Sequence, residues 1–364
     1  MDLSLSEEQV ALRDMVGSIL ATHAAPENLN EVLGTDERYS VSAEQALREA
    51  GLIELGAGED SDTNLVELGI LLSELGYVAY TGPFHASVTA GLTAQRLLGD
   101  AGAAVVSRVE GGGIAAVCEF TALSFDGSAA SGNASGIEWA DGADLLVVSA
   151  PVADGIGLWV VAPDAEGVQI VPQRGMDGSR SGSVTLSGAP IGAPAAVITA
   201  KQWRAHSHLL RVLRAADLVG VMRRVLEMTV THVKQREQFG KFIGQFQAVQ
   251  HHLANLSLDL EASTNMVNHA LWRESAGFES ERAAAESAWF VSDAAVRATQ
   301  VGNQLHGGIG FMKEYHLHHF HNRSAVQRGR MGSEQVRLAE LGDVVIEAAE
   351  LDFTEEFMDW PVQK

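Results

Sequence analysis

From Lys201 onward the chain carries four long helical patterns, over about 202–234, 245–272, 280–305 and 333–351. In the first, Leu209, Leu213, Ala216, Val219, Leu226 and Val233 recur on one side, which predicts an amphipathic helix with a buried stripe. Four such helices read as a four-helix bundle. Two of the breaks between them carry unusual residues. The first reads Arg236-Glu237-Gln238-Phe239-Gly240-Lys241, followed by Gln245-Phe246-Gln247. The second reads Gln304-Leu305-His306-Gly307-Gly308-Ile309-Gly310-Phe311. Each joins hydrogen-bonding side chains to glycines that let a ligand approach the backbone, so these breaks are where such a bundle would present chemistry.

The preceding sequence divides in two. Residues 1–112 read as helical: Ser6-Glu7-Glu8-Gln9 is a capping-box pattern followed by Leu12, Met15, Val16, Ile19 and Leu20 at helical spacing. Further helices are expected at 42–49 (stopped by Gly51), 64–75 (stopped by Gly76) and 87–98, and the run Gly111-Gly112-Gly113 is a natural boundary. Over 113–197 short apolar runs alternate with Gly, Pro, Asp and Ser: 144–148, 157–161, 168–171 and 183–186. With no helical pattern between them, these predict a small antiparallel sheet or barrel. The expected fold is therefore mostly α with a small β domain, the third region, 198–364, being the bundle.

A formal charge of −22 excludes a nucleic-acid binder, which needs a basic surface. It also means that an anionic ligand would need a local basic patch. Arg204, Arg211, Arg214, Arg223 and Arg224 are candidates on one helix, with pairing to surface acids as the alternative. The single cysteine, Cys118, can form no internal disulfide and reads as a buried thiol. No secretory leader pattern opens the sequence and no run is long enough to span a bilayer, so a cytoplasmic protein is expected. Of the histidine group His316, His318, His319 and His321, the spacing fits no closed tetrahedral metal site, and a structural role is expected, with the lining of a pocket or interface as the alternative.

The order of regions and the two break segments resemble the acyl-CoA dehydrogenase family along essentially the whole chain. Arg236, Phe239 and Gly240 match the family's Arg-x-x-Phe-Gly segment, with Gln247 at its downstream glutamine; Gln304, Gly307, Gly308 and Gly310 match its Gln-x-x-Gly-Gly-x-Gly segment. Gly51-Leu52 and Glu74-Leu75-Gly76 are similar to its N-terminal helical motifs. The resemblance implies an N-terminal helical domain, a middle β-barrel domain and a C-terminal four-helix bundle. It also implies FAD bound across a subunit interface. Arg236, Gln238, Phe239, Gln247, Gln304, Gly307 and Gly308 would then hold the pyrophosphate and adenine half of a flavin whose ring lies on a neighbouring subunit. A forked, permanently charged guanidinium and open backbone N–H groups suit a pyrophosphate.

The chain departs from the family where the chemistry should be. The family needs a carboxylate to take the α-proton of the acyl thioester, in many members just before a Gly-Thr or Gly-Ser pair; here that position is Met331, followed by Gly332-Ser333. The family's other location reads His208-Leu209-Leu210-Arg211, without an acid. The loops that cradle the flavin ring are reduced to Cys118-Glu119-Phe120-Thr121-Ala122, a shortened 124–136 and Trp139-Ala140-Asp141. The resemblance thus points to the non-catalytic subunit of an actinobacterial heteromeric enzyme, a heterotetramer acting on bulky or steroid side-chain CoA esters. Its expected partners are a homologous subunit with the catalytic glutamate, an acyl-CoA substrate and an electron-transfer flavoprotein. Two alternatives stand beside it: a self-sufficient dehydrogenase or oxidase with a relocated base such as Asp217 or Glu334, and an inactive homo-oligomer that binds CoA esters or acts as a scaffold.

Overall fold

The computed structural model describes residues 5–61 and 64–352, with side chains of the last helix described to residue 347. The end of the expected third region, 353–364, lies outside the described residues, as do residues 1–4. The chain opens with seven helices: α1 (Glu7–His23), α2 (Leu29–Val32), α3 (Val41–Glu49), α4 (Glu54–Ala57), α5 (Leu65–Tyr77), α6 (Phe84–Leu97) and α7 (Ala103–Glu110). The capping box at Ser6 is formed, with Gln9 N–H donating to Ser6 Oγ at 3.1 Å and Ser6 N–H donating to Gln9 Oε1 at 3.0 Å.

Gly76 does not stop α5 as expected. It lies inside the helix, which runs on to Tyr77, because α5 packs directly against the long bundle helix α8 (Ala200–Gln235). A Cβ on Gly76 would come within 1.8 Å of Asp217 O, and one on Gly220 within 1.8 Å of Ser73 O. The two glycines let the backbones touch, so their role is in packing and not in termination.

Eight strands follow: β1 (Ala115–Glu119), β2 (Leu123–Phe125), β3 (Ala130–Glu138), β4 (Leu145–Val152), β5 (Gly155–Val161), β6 (Val168–Arg174), β7 (Arg180–Ala189) and β8 (Ala196–Ile198). They form two four-stranded sheets, ordered β1-β4-β5-β8 and β2-β3-β7-β6. The second is antiparallel as expected, but β1 and β4 are parallel. The chain makes that crossover through β2 and β3 of the other sheet, so no helix is needed between the parallel strands. Burial explains the sequence texture. In β4, Leu146 and Val148 face the second sheet while Val147 faces the helices, hence an unbroken apolar run. In β7 only Val184 and Leu186 of 183–186 are buried, hence alternation.

The last region holds α8, a two-stranded hairpin of β9 (Glu237–Gln238) and β10 (Lys241–Phe242), α9 (Gln247–Ser275), α10 (Glu281–His306), α11 (Leu317–Arg330) and α12 (Glu334–Asp352). Four of these are the expected bundle helices. The fifth, α11, carries the histidine group and shows no clean apolar period in sequence, because its buried face includes His319, Arg323, Ser324 and Gln327. α8 is the centre of the molecule, packing on α5, α9 and α10. One continuous core joins Val16 and Leu20 of α1 through α5 and α6 to Leu213, Val291 and Met331. Among the described residues, no helix is long and apolar enough to cross a membrane.

Candidate functional site

The two break segments meet at one end of the bundle. α8 ends at Arg236, whose N–H donates to His232 O at 2.9 Å. The chain reverses through Phe239 and Gly240, at φ 54° and 76°, the geometry of a type I′ hairpin. A positive φ strains a phenylalanine. Its ring is 92 % exposed and meets the edge of Phe246, 6.2 Å between centroids, so little buried contact offsets that strain. α10 ends beside it: Gly307 takes φ 64° at the cap, and a Cβ on either Gly307 or Gly308 would meet nothing within 4 Å. The rings of His232 and His306 stack between the two ends at 4.4 Å.

The surface here is apolar and open, with Ile309 42 %, Phe311 73 % and Met312 50 % exposed. Arg236, Gln238, Gln247 and Gln304 are also exposed. Among the described residues, the Arg236 guanidinium has no acid within ion-pair distance, in contrast to the five arginines offered as a basic patch. Each of those is taken: Arg204 by Glu281 and Glu347, Arg211 by Glu340, Arg214 by Glu138, Arg223 by Glu74 and Arg224 by Glu27. Of the two readings of these arginines, pairing with acids is the one the fold realises. Of the arginines on this helix and at its cap, the one left open to an incoming anion is Arg236.

A second feature lies far from that surface. A cavity of about 1030 Å³ opens between α6, both sheets, the N-terminal half of α8 and the junction of α11 with α12. Met331 lines it, fully buried at the cap of α11. Arg214 also lines it and precedes Arg236 by about six turns of one unbroken helix, on the order of 30 Å.

Three carboxylates line the cavity: Glu119, Glu138 and Glu340. Glu138 receives Arg330 Nη1 at 2.7 Å, Arg214 Nη1 at 2.8 Å and His85 Nδ1 at 3.1 Å. Burial alone would raise its pKa, but Arg330, Arg214 and His85 together hold it well below the usual carboxylate range. Glu340 clamps Arg211 and lies 3.6 Å from His208 Nε2. Although burial opposes ionisation, those two partners bring its pKa down to about 2. Neither group is suited to accept a proton near neutral pH. Glu119 has no cation partner among the described residues and accepts a bond from Trp203 Nε1 at 3.3 Å.

The carboxylates considered as relocated bases are elsewhere. Asp217 is fully buried, held by the forked guanidinium of Arg323, whose Nη1 also donates to Tyr80 O. Glu334 is exposed and pairs with Arg328 at 3.1 Å. Neither lines the cavity. Trp139 follows β3 at φ 59° and is buried beneath Arg180 at 4.7 Å, and Ala140–Gly142 form a single 3₁₀ turn in place of a strand. The histidine group serves structure: His318, His319 and His321 bond Tyr315 O, Asn30 Oδ1 and Thr299 Oγ1. Among the described residues no cluster of ligands suits a metal ion. Cys118 is buried, which pushes its thiol pKa up.

Sequence reasoning missed the Glu138 cluster and the histidine stack. Both depend on contacts between elements distant in the chain, although Arg330 and Glu138 each adjoin a residue it had singled out, Met331 and Trp139.

The family model for the acyl-CoA dehydrogenase C-terminal domain matches residues 204–346. The acyl-CoA dehydrogenase FadE28 of Mycobacterium tuberculosis is 28 % identical over 353 residues, 94 % of this chain and 98 % of the relative. Among solved structures, a variant of the Tcur3481-Tcur3483 steroid ACAD is 26 % identical with a TM-score of 0.85, covering 95 % of this chain and 100 % of that one. The ChsE4-ChsE5 complex from Mycobacterium tuberculosis gives a TM-score of 0.86 at 24 % identity, covering 95 % and 99 %.

Proposed function

The chain belongs to the acyl-CoA dehydrogenase family, and on that premise we propose that it is the base-less subunit of a heteromeric FAD-dependent acyl-CoA dehydrogenase. Its role is to hold the pyrophosphate and adenine half of a flavin whose ring is bedded on a homologous partner. The observation that carries this reading is the exposed Arg236 guanidinium, without an ion-pair partner among the described residues of its own chain and about 30 Å along α8 from its own cavity. Such a group suits an anion that arrives with another subunit.

The residues present fit the charged tail of the cofactor. Arg236 offers two parallel donors to phosphate oxygens, Gln304 adds a neutral amide, and Gly307 and Gly308 put no side chain in the way of a ligand, the Gly307 N–H itself being spent on the Asn303 and Gln304 carbonyls at the α10 cap. Bound FAD supplies the hydride acceptor for α,β-dehydrogenation of an acyl thioester. The strained, exposed Phe239 together with Ile309, Phe311 and Met312 supplies apolar area for the partner to cover. The partner contributes the carboxylate that removes the α-proton, since Met331 has no basic atom to do so. By similarity to the steroid enzyme, the substrate class is a bulky or steroid side-chain CoA ester and the assembly a heterotetramer, with an electron-transfer flavoprotein as electron acceptor.

The self-sufficient alternative narrows to one residue. Asp217 and Glu334 lie outside the cavity, and Glu138 and Glu340 are held by cations, so Glu119 is the carboxylate left to act as base. Met331→Glu in the chain produced alone tests the proposal. It is expected to give no dehydrogenation of acyl-CoA, because the bed for the ring is reduced as well as the base. Appreciable turnover by that variant without a partner, or turnover by the wild-type chain alone that Glu119→Gln abolishes, would replace this reading with the self-sufficient one.

A further inference from the structure

Resting on the reading that Arg236 and Gln304 grip a dinucleotide's charged tail, we propose that the stacked rings of His232 and His306 are the positioning element holding those groups in register, and that they do so only while both rings are neutral. The stack is close and nearly parallel, 4.4 Å between centroids at 24°. Each ring stands directly behind one motif. Arg236 lies one turn beyond His232, and its N–H closes the last turn of α8 on the His232 carbonyl at 2.9 Å. His306 lies two residues beyond Gln304 and immediately before the Gly307 cap.

Hydrogen bonding sets the His306 tautomer. Its Nδ1 lies 2.8 Å from Gly302 O, which can only accept, so Nδ1 carries the proton. Its Nε2, 3.1 Å from Tyr315 Oη, is then the lone pair that accepts the phenol proton. This ties the stack to the segment that follows the glycines. A second proton on either ring would set a cation against its stacked neighbour and beside Arg236, and protonation of both would place two cations face to face.

The charged and titratable groups around the pair are Arg236 at the cap of α8, Tyr315 and His316 before α11, and His318 on α11 next to His316. Behind these stand Arg224, on the α8 flank, and Glu27, which precedes α2. Among the described residues, no carboxylate is within ion-pair distance of either imidazole. Burial and Arg236 lower the pKa of His232; burial and His232 lower that of His306, against an opposing pull from the Gly302 carbonyl. An unfolded histidine titrates near about 6.5. A lowered native value means that the opened arrangement binds protons more readily, so the stack is complete above that pH and gives way as the pH falls below it.

The test uses the full-length chain, with ADP as a probe of the tail site, at pH 7.5 and 5.5. Amide exchange, corrected for its intrinsic pH dependence, is followed over 230–240 and 302–312. In the wild type both segments are expected to loosen together on acidification. ADP affinity is expected to fall about tenfold relative to His306→Phe, which keeps a stackable ring but cannot titrate. His232→Phe is the second such variant, should the first fold poorly. Each should give a shallower exchange profile than the wild type, because one titratable ring remains, and the two substitutions combined should give a flat one. An ADP affinity that rises on acidification in the wild type would overturn the proposal, because the histidines would then be direct cationic contacts. So would identical pH profiles in the wild type and both variants. Failure of the underlying reading shows separately, as equal ADP affinity in the wild type and Arg236→Ala at pH 7.5, whereas the exchange profiles test the stack without any ligand.

Discussion

Arg236→Ala in this chain is expected to leave a folded heteromer that loses its flavin, with a dissociation constant raised about 10- to 100-fold. A hydrogen bond to a charged group contributes about 1.5–3 kcal/mol, and each ~1.4 kcal/mol is a factor of ten in affinity. The prediction separates binding from folding because the wild-type side chain is exposed and forms no ion pair within the described residues. Truncating it should move the thermal midpoint hardly at all, as for other surface substitutions, about 0.5 kcal/mol or less. Arg236→Lys should recover only part of the affinity, since an ammonium keeps the charge but loses the fork that fits two phosphate oxygens. Flavin fluorescence titration of the reconstituted complex, beside a melting curve, reads both quantities. Unchanged flavin affinity in Arg236→Ala would remove this residue from the cofactor site.

The second large effect concerns stability. Asp217→Asn is expected to destabilise the chain by about 3–5 kcal/mol, the usual cost of breaking a buried ion pair from one side. The Asp217 side chain is fully buried and saturates Arg323, itself 3 % exposed, while its carbonyl packs against Gly76. Removing the charge leaves a guanidinium in the core hydrogen-bonded to Tyr80 O and a neutral amide, with Asp177 and Glu138 as more distant anions. A catalytic Asp217 would behave differently, losing turnover while its unfolding curve stayed near wild type. Chemical denaturation of Asp217→Asn beside Glu334→Gln, which lies on the surface and should change stability by about 0.5 kcal/mol or less, distinguishes the two. Wild-type stability in Asp217→Asn would contradict the packing described for α5, α8 and α11.

Much of the fold could be read from the chain because its long helices bury one stripe and cap themselves locally: Leu209, Leu213 and Val233 mark α8, and Ser6 with Gln9 starts α1. The misses share a cause. Gly76 is as good a helix terminator as a close-packing residue by local rules, and only the approach of Ser73 and Asp217 decides between them. The parallel pairing of β1 with β4 is a property of topology, to which a strand's own residues are indifferent. The helix α11 hid because polar side chains occupy its buried face, with His319 and Arg323 satisfied by partners far away in sequence. At the candidate site, the motif residues were visible as residue types, and so was the substitution at Met331. What they do in space was not. The pairing of five arginines on α8 with acids from other segments, and the isolation of Arg236, emerge only from the folded chain.

The most direct measurement is the flavin content of this chain purified alone and purified with a co-produced homologue that bears the missing glutamate. The account predicts a colourless, inactive protein alone, and a yellow, active complex holding one FAD for each pair of unlike chains. A homo-oligomer of this chain carrying a full complement of FAD and oxidising acyl-CoA unaided would contradict it.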